Sequence, residues 1–250
     1  MEYISFERVV DFCKEKNFYL GLGNPDAKIL IVGKEIGYGH KESKNPSLSE
    51  IIKDSEKQAN CNLLEWQKII RKEKSLKKHL DERQSFFKDK HNRMPTWKSY
   101  QEIVSGILGV DNFFLNHSFI TEYSQLSLPK SRYQPEEKKE FAKKKKDSIN
   151  NRKSLFDLDF FKNFPVVIMA CGSYTTKEFV ESVFSVNFES KTELSKGFSY
   201  SLYKGEDKIL IHTRQLSNFF GSAEKRCSLI QKIVELCKSI CETYVLQQKI

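Results

Sequence analysis

The chain has 250 residues, 39% apolar and 30% charged, with a formal net charge of +9. That balance excludes a disordered or fibrous chain, and the length is enough to bury a sizeable core. No apolar run approaches the ~20 residues of a membrane span, since "VVIMA" and "ILIVG" are only strand-sized.

The opening "MEYISFERVVDFCKEK" interleaves charges with apolar residues and predicts a first helix rather than a signal peptide, so a cytoplasmic protein is expected. A strand follows at Ile29–Val32 and runs into "GKEIGYGH". This turn suits a nucleotide cradle, a catalytic turn or an ordinary strand–loop–helix junction. "SLSEIIKDSEK" and "NLLEWQKIIRKEKSLKKHLDERQSFF" predict helices, and Pro95–Thr96 opens another over "TWKSYQEIVSGILG". A second strand is expected at Phe113–Asn116, extending to Ile120. Pro135–Glu136 then opens a basic helix, with "SLFDLDFFKNF" after it. Val166–Ala170 is the third strand and "TTKEFVESVF" a helix. "FSYSLYKGEDKILIH" reads as a hairpin feeding the fourth strand, Ile209–His212. Strands alternating with helices predict an α/β fold of three layers, α/β/α, around a mainly parallel four-stranded sheet. One domain over residues 1–250 is expected, with a basic helical insert at about 55–98.

Charge is concentrated in two connecting segments. Residues 55–98 hold 12 Lys/Arg against 6 Asp/Glu, and residues 130–153 hold 10 against 4. This layout suits a polyanion partner, although a lysine run is also a common solvated helix face. Of the six cysteines, Cys237 and Cys241 lie i,i+4 on the apolar stripe of a C-terminal helix (Ile230, Ile233, Val234, Cys237, Ile240, Tyr244). They read as core packing. No Cys/His spacing suggests a metal, and no cofactor is expected.

Ligands of open α/β sheets gather at the carboxyl ends of the strands. The four expected ends continue as "GKEIGYGH", "NHSFITEYSQLSLP", "CGSYTT" and "HTRQLSNFFGSA". Together they resemble the uracil-DNA glycosylase superfamily. The first strand leads into Gly33, Lys34, Glu35, Ile36, Gly37 and Tyr38. The second ends in "FFLN" at Asn116, the third runs into Gly172–Ser173, and the last ends in His212 with Leu216–Ser217 following. "NPSLSEIIK" is similar to the family's Pro-Ser loop, through Pro46–Ser47. The resemblance spans roughly residues 20 to 235.

It implies a uracil-DNA glycosylase-like fold and hydrolysis of the N-glycosidic bond of uracil or a related damaged base flipped out of DNA. Glu35 would orient water and face the cationic sugar. His212 would donate a hydrogen bond to the base oxygen where charge accumulates. Asn116 would read the base edge, Tyr38 would wall the pocket, and Gly33 and Lys34 would line it. Pro46–Ser47, Gly172–Ser173 and Leu216–Ser217 would grip phosphates, with Leu216 as the wedge and Arg214 adding a phosphate contact. The partner implied is single- or double-stranded lesion-bearing DNA, bound by a monomer. Here Glu35 stands where the family holds Asp, and Thr213–Arg214 where it holds Pro-Ser. The stacking aromatic is not assigned; Phe86 and Trp97 are its candidates. Two other readings stay open: a catalytically inactive nucleic-acid-binding member of the same fold, and a small-molecule nucleotide-binding domain using "GKEIGYG" as a cradle.

Overall fold

A computed structural model of the chain describes residues 3–35, 46–90, 95–126, 135–195, 198–217 and 223–247. Seven strands form one mixed sheet: β1 (Leu22–Gly23), β2 (Ile29–Glu35), β3 (Ser118–Ser124), β4 (Val166–Met169), β5 (Asn187–Ser195), β6 (Phe198–Lys204) and β7 (Ile209–Thr213). Their spatial order is β1-β3-β2-β4-β7-β6-β5. The helices are α1 (Tyr3–Lys16), α2 (Leu48–Ile70), α3 (Leu76–Lys90), α4 (Pro95–Leu108), α5 (Pro135–Phe156), α6 (Asp159–Lys162), α7 (Lys177–Phe184) and α8 (Ala223–Gln247).

The two-residue period of β2 sorts the core. Leu30 and Val32 face one apolar layer, built with α1, α2, α5, α6 and α7 around Trp66, Phe119 and Phe161. Ile29 and Ile31 face the other, built with α3, α4 and α8 around Tyr100, Phe114 and Ile233. Both faces of the central strands are therefore covered, which is why they read as continuous apolar runs. Cys237 is fully buried in the second layer, as its place on the helical stripe predicts. No helix among the described residues is long and apolar enough to cross a membrane.

The sheet has seven strands rather than four. Its parallel part is β3-β2-β4-β7, extended by antiparallel β1 on one side and β6 and β5 on the other. β5 is missed by the sequence reading because "NFESKTELS" lies mostly exposed on an edge and has no apolar face to announce it.

The second correction moves a strand. "FFLN" is not a strand end: Phe114–Asn116 forms a single 3₁₀ turn, and β3 begins two residues later at Ser118. The apolar run Phe113–Leu115 fills the corner between α4 and the sheet, where Phe114 meets Phe87, Trp97 and Tyr100. A short apolar run does not by itself distinguish a strand from a buried turn. The basic segment at 55–98 is likewise built into the core. α2 gives Leu63 and Trp66 to one layer and α3 gives Leu80 and Phe87 to the other, so this hairpin passes from one face of the sheet to the other.

Candidate functional site at the carboxyl edge

β2 lies between β3 and β4, both parallel to it. The chain moves outward from β2 to β3 and then returns to β4 on the other side. The crevice at the carboxyl ends of β2 and β4 is therefore a topological switch point, where open α/β sheets bind ligands.

Glu35, the last residue of β2, stands there. Its Oε2 ion-pairs with Lys145 of α5 and accepts a hydrogen bond from the Tyr174 hydroxyl at 2.8 Å. Both donors converge on Oε2, and none among the described residues engages Oε1. The Lys145 and Lys34 ammonium groups lie 4.5 and 4.8 Å from the Tyr174 ring centroid. Burial pulls Lys145 below the ordinary lysine range, opposed by its bond to Glu35. Burial, with the Glu35 carboxylate beside it, pushes the Tyr174 phenol up, so it acts as a donor.

A second carboxyl group lies beside the first. Glu122 of β3 is in register with Gly33. A Cβ built at Gly33 would sit 2.7 Å from its Cδ, 2.8 Å from Oε1 and closer still to Oε2, so the Glu122 carboxyl lies directly against the bare backbone of Gly33. Glu122 Oε2 is sealed from solvent without a hydrogen-bond partner among the described residues, although the residue as a whole is partly exposed. Burial pushes the carboxyl up to about 8; Arg152 opposes this and the Glu35 carboxylate adds to it.

The sign for stability follows. The unfolded glutamate ionises near 4.5 whereas the folded one holds its proton to about 8. Stability is therefore lost through the range where only the unfolded chain has ionised: it falls as pH rises from about 4.5 to 8 and is lowest above that. The shift is worth at most about 5 kcal/mol. Urea unfolding at pH 5 and pH 9 is expected to show Glu122→Gln gaining on the wild type at the higher pH.

At the end of β7, His212 Nε2 lies 2.6 Å from the Gly172 carbonyl oxygen. A carbonyl only accepts, so Nε2 carries the proton and donates. Burial lowers the ring's affinity for a second proton, so it is neutral near pH 7. Gly172 has φ +60, which a glycine adopts without strain. It opens the turn that carries exposed Ser173 and then Tyr174. His212 thus fixes the turn that presents Tyr174 to Glu35.

Neither a family model nor a curated protein matches this chain.

The carboxyl edge gathers Gly33, Lys34, Glu35, Gly172, Ser173 and His212 as expected from the sequence. Asn116 is not among them. It precedes β3, and its carbonyl accepts from Asn24 Nδ2 at 3.0 Å. Because Ser118 pairs with Ile29 and Ser124 with Glu35, Asn116 lies at the opposite edge, about 20 Å away along the strand. It does not read a base held at Glu35. Trp97 packs against Phe114 at that same far edge.

Leu216 also departs from expectation. It is 2% exposed, packed in the second apolar layer, and its carbonyl accepts from Ser99 Oγ at 2.8 Å. It fills the core and is not a wedge. Ser217 follows it, partly exposed, and the Arg214 guanidinium lies 5.0 Å over the Phe198 ring. Pro46 is buried, and Ser47 is the N-cap of α2, closing a capping box with Glu50. Two turns further on, Ser55 Oγ donates to the Gln125 carbonyl just past β3, which puts the start of α2 beside the carboxyl edge. Tyr38 lies outside the described residues.

The sequence reading missed Lys145, Tyr174, Glu122 and Arg152. A signal for two of them exists in α5. Phe141, Lys145 and Arg152, at i, i+4 and i+11, are buried in it ahead of Leu155 and Phe156, an inward helical stripe running through what reads as a lysine tract. Among the described residues no group of three or more His, Cys, Asp or Glu could hold a metal ion.

Proposed function

We propose that this chain hydrolyses an N-glycosidic bond in DNA, as an intracellular monomer with a uracil-DNA glycosylase-like fold. The observation that carries this reading is Glu35. Its carboxylate stands at the switch-point crevice with Oε2 held by Lys145 and Tyr174, which leaves Oε1 to orient water and face the cationic sugar. A fixed charge aimed at developing charge is often the largest catalytic contribution. The Gly172–Ser173 turn and His212 at the same edge support the reading, because they occupy strand ends in the order that the resemblance implies.

α5 supports the choice of partner. It delivers Lys145 inward while Lys138, Lys139, Lys143, Lys144 and Lys146 face solvent, so a basic track adjoins the crevice. Replacing Lys139, Lys143 and Lys146 together with glutamine is expected to lower the slope of log K against log salt by ~2–3 for duplex DNA. Fluorescence anisotropy over a salt series measures this; an unchanged slope places DNA elsewhere.

A second reading, a nucleic-acid-binding module without catalysis, is favoured by the positions of Asn116 and Leu216 outside the site. The two readings are separated by base release from an oligonucleotide holding one uracil, single-stranded or duplex. The module binds salt-dependently and yields no abasic strand.

A further inference from the structure

A cavity of about 720 Å³ opens beside the crevice, within the ~300–1,000 Å³ of small-ligand sites. From α5 it takes Lys144, Ser148 and Asn151, at i, i+4 and i+7, a helical stripe adjoining the one that carries Lys145 and Arg152. From α2 it takes Ile52, Ser55 and Glu56, and from the segment after α1 it takes Asn17 and Phe18. Gln125, the first residue past β3, lines it too and is tied to all three. Its amide donates to Ser148 Oγ at 3.2 Å, its carbonyl accepts from Ser55 Oγ at 2.7 Å, and its Nε2 donates to the Asn17 carbonyl at 2.9 Å. The cavity is therefore fixed before a ligand arrives, which lowers the cost of binding. Ser124 pairs with Glu35, so Gln125 lies about 6 Å from the Glu35 backbone.

The lining sorts by depth. Phe18, Ile52 and Leu126 are buried or half-buried apolar groups, accompanied by the hydroxyls of Ser55 and Ser148 and the amide of Gln125. Arg152 is the one buried charge among the lining residues, and its guanidinium is bonded to protein oxygens. The other charged residues, Lys16, Glu56, Lys144 and Asp147, are exposed, as are Asn150 and Asn151, so the cavity opens to solvent along α5. Neutral donors and acceptors with apolar surface inside, and cations outside, suit a nucleobase whose phosphate stays at the surface. Lys144 belongs both to this mouth and to the basic track of α5.

We propose that this cavity takes the base next to the target in the same strand, and that the substrate is therefore single-stranded DNA. This rests on the reading of the crevice as an N-glycosidic hydrolase. A strand laid over the lysines of α5 keeps its phosphates outside, with the target base at Glu35 and its neighbour in the cavity. In a duplex both bases would have to leave the stack, each at the cost of its pairing. A single strand has no pairing to lose.

The test is fluorescence anisotropy at fixed salt with single-stranded and duplex oligonucleotides holding one uracil. A further pair of single strands carries an abasic linker on one side of the uracil or on the other. Wild type is compared with Asn151→Trp, whose indole would fill the mouth. Asn151 is exposed, so the variant is expected to fold, and the linker series needs no variant. The expected result is a single strand bound ~10-fold or more tighter than duplex, and a ~10-fold loss when the linker stands on one side only. N151W binds the unmodified strand more weakly by a similar factor and is insensitive to the linker. Duplex bound as tightly as single strand, linkers without effect, or a linker effect that persists in N151W overturns the proposal. Uracil release is read on the same samples. The expected binding pattern without release by the wild type overturns the hydrolase reading and leaves the base site standing.

Discussion

Glu35→Gln is expected to slow base release by on the order of 10²–10³-fold, the cost of losing one preorganised charge at a reacting centre. The amide keeps an oxygen for Lys145 and Tyr174 but removes the negative charge that faces the sugar. The same change leaves the Lys145 ammonium, 7% exposed, without its counter-ion. A loss of ~1–3 kcal/mol in stability accompanies it. The double variant Glu35→Gln/Lys145→Met separates the two effects, since removing both charges takes away the unpaired cation. It is expected to regain most of the stability and none of the activity. Urea unfolding and single-turnover base release on the three proteins measure this. An active double variant would remove Glu35 from the mechanism.

Arg152→Met is expected to cost ~3–5 kcal/mol, the largest effect on stability, because it breaks a buried charged network. Arg152 is 1% exposed, and burial pulls its guanidinium down to about 10, still charged near pH 7. It ties the end of α1, through the Tyr19 carbonyl, to β3 and to Gln125. Gln125 itself accepts from the Tyr19 amide and donates to the Asn17 carbonyl. Methionine fills much of the volume but takes the guanidinium donors from the Tyr19 and Glu122 carbonyls and Thr121 Oγ1. At this chain length the loss amounts to a fall in Tm of roughly 10 °C. Lysine is expected to restore little, because one ammonium does not reproduce a planar fork of five donors. A fall of less than about 2 °C would show that water satisfies these oxygens equally well. Arg152 and Lys145 lie two turns apart on the same stripe of α5, so loosening the first is also expected to weaken Glu35's support.

Three of the four parallel strands were legible because each is buried on both faces and so reads as an apolar run, whereas β3, "SFITEYS", is interrupted by polar residues. β2, β4 and β7 occupy the expected positions. Phe113–Leu115 misled because burial in a 3₁₀ turn leaves the same apolar signature as burial in a strand, and that error carried Asn116 to the wrong edge. Leu216 misled in the opposite sense: polar neighbours suggested an exposed loop, whereas the side chain turns into the layer beneath α4 and α8. Glu35 and His212 were legible as polar residues ending apolar strands. Lys145, Glu122 and Tyr174 were not, because their roles depend on which helix crosses which strand end. Lys145 is one of four consecutive lysines, and only helical phase distinguishes it from its solvated neighbours.

The most direct test is release of uracil from a single-stranded and a duplex oligonucleotide, read as alkali-labile abasic strand, for the wild type and Glu35→Gln side by side. The account predicts abasic product from the wild type and at least ~100-fold less from the variant, with both proteins folded and binding the oligonucleotide. Equal product from both, or binding by the wild type with no product from either substrate, would contradict it.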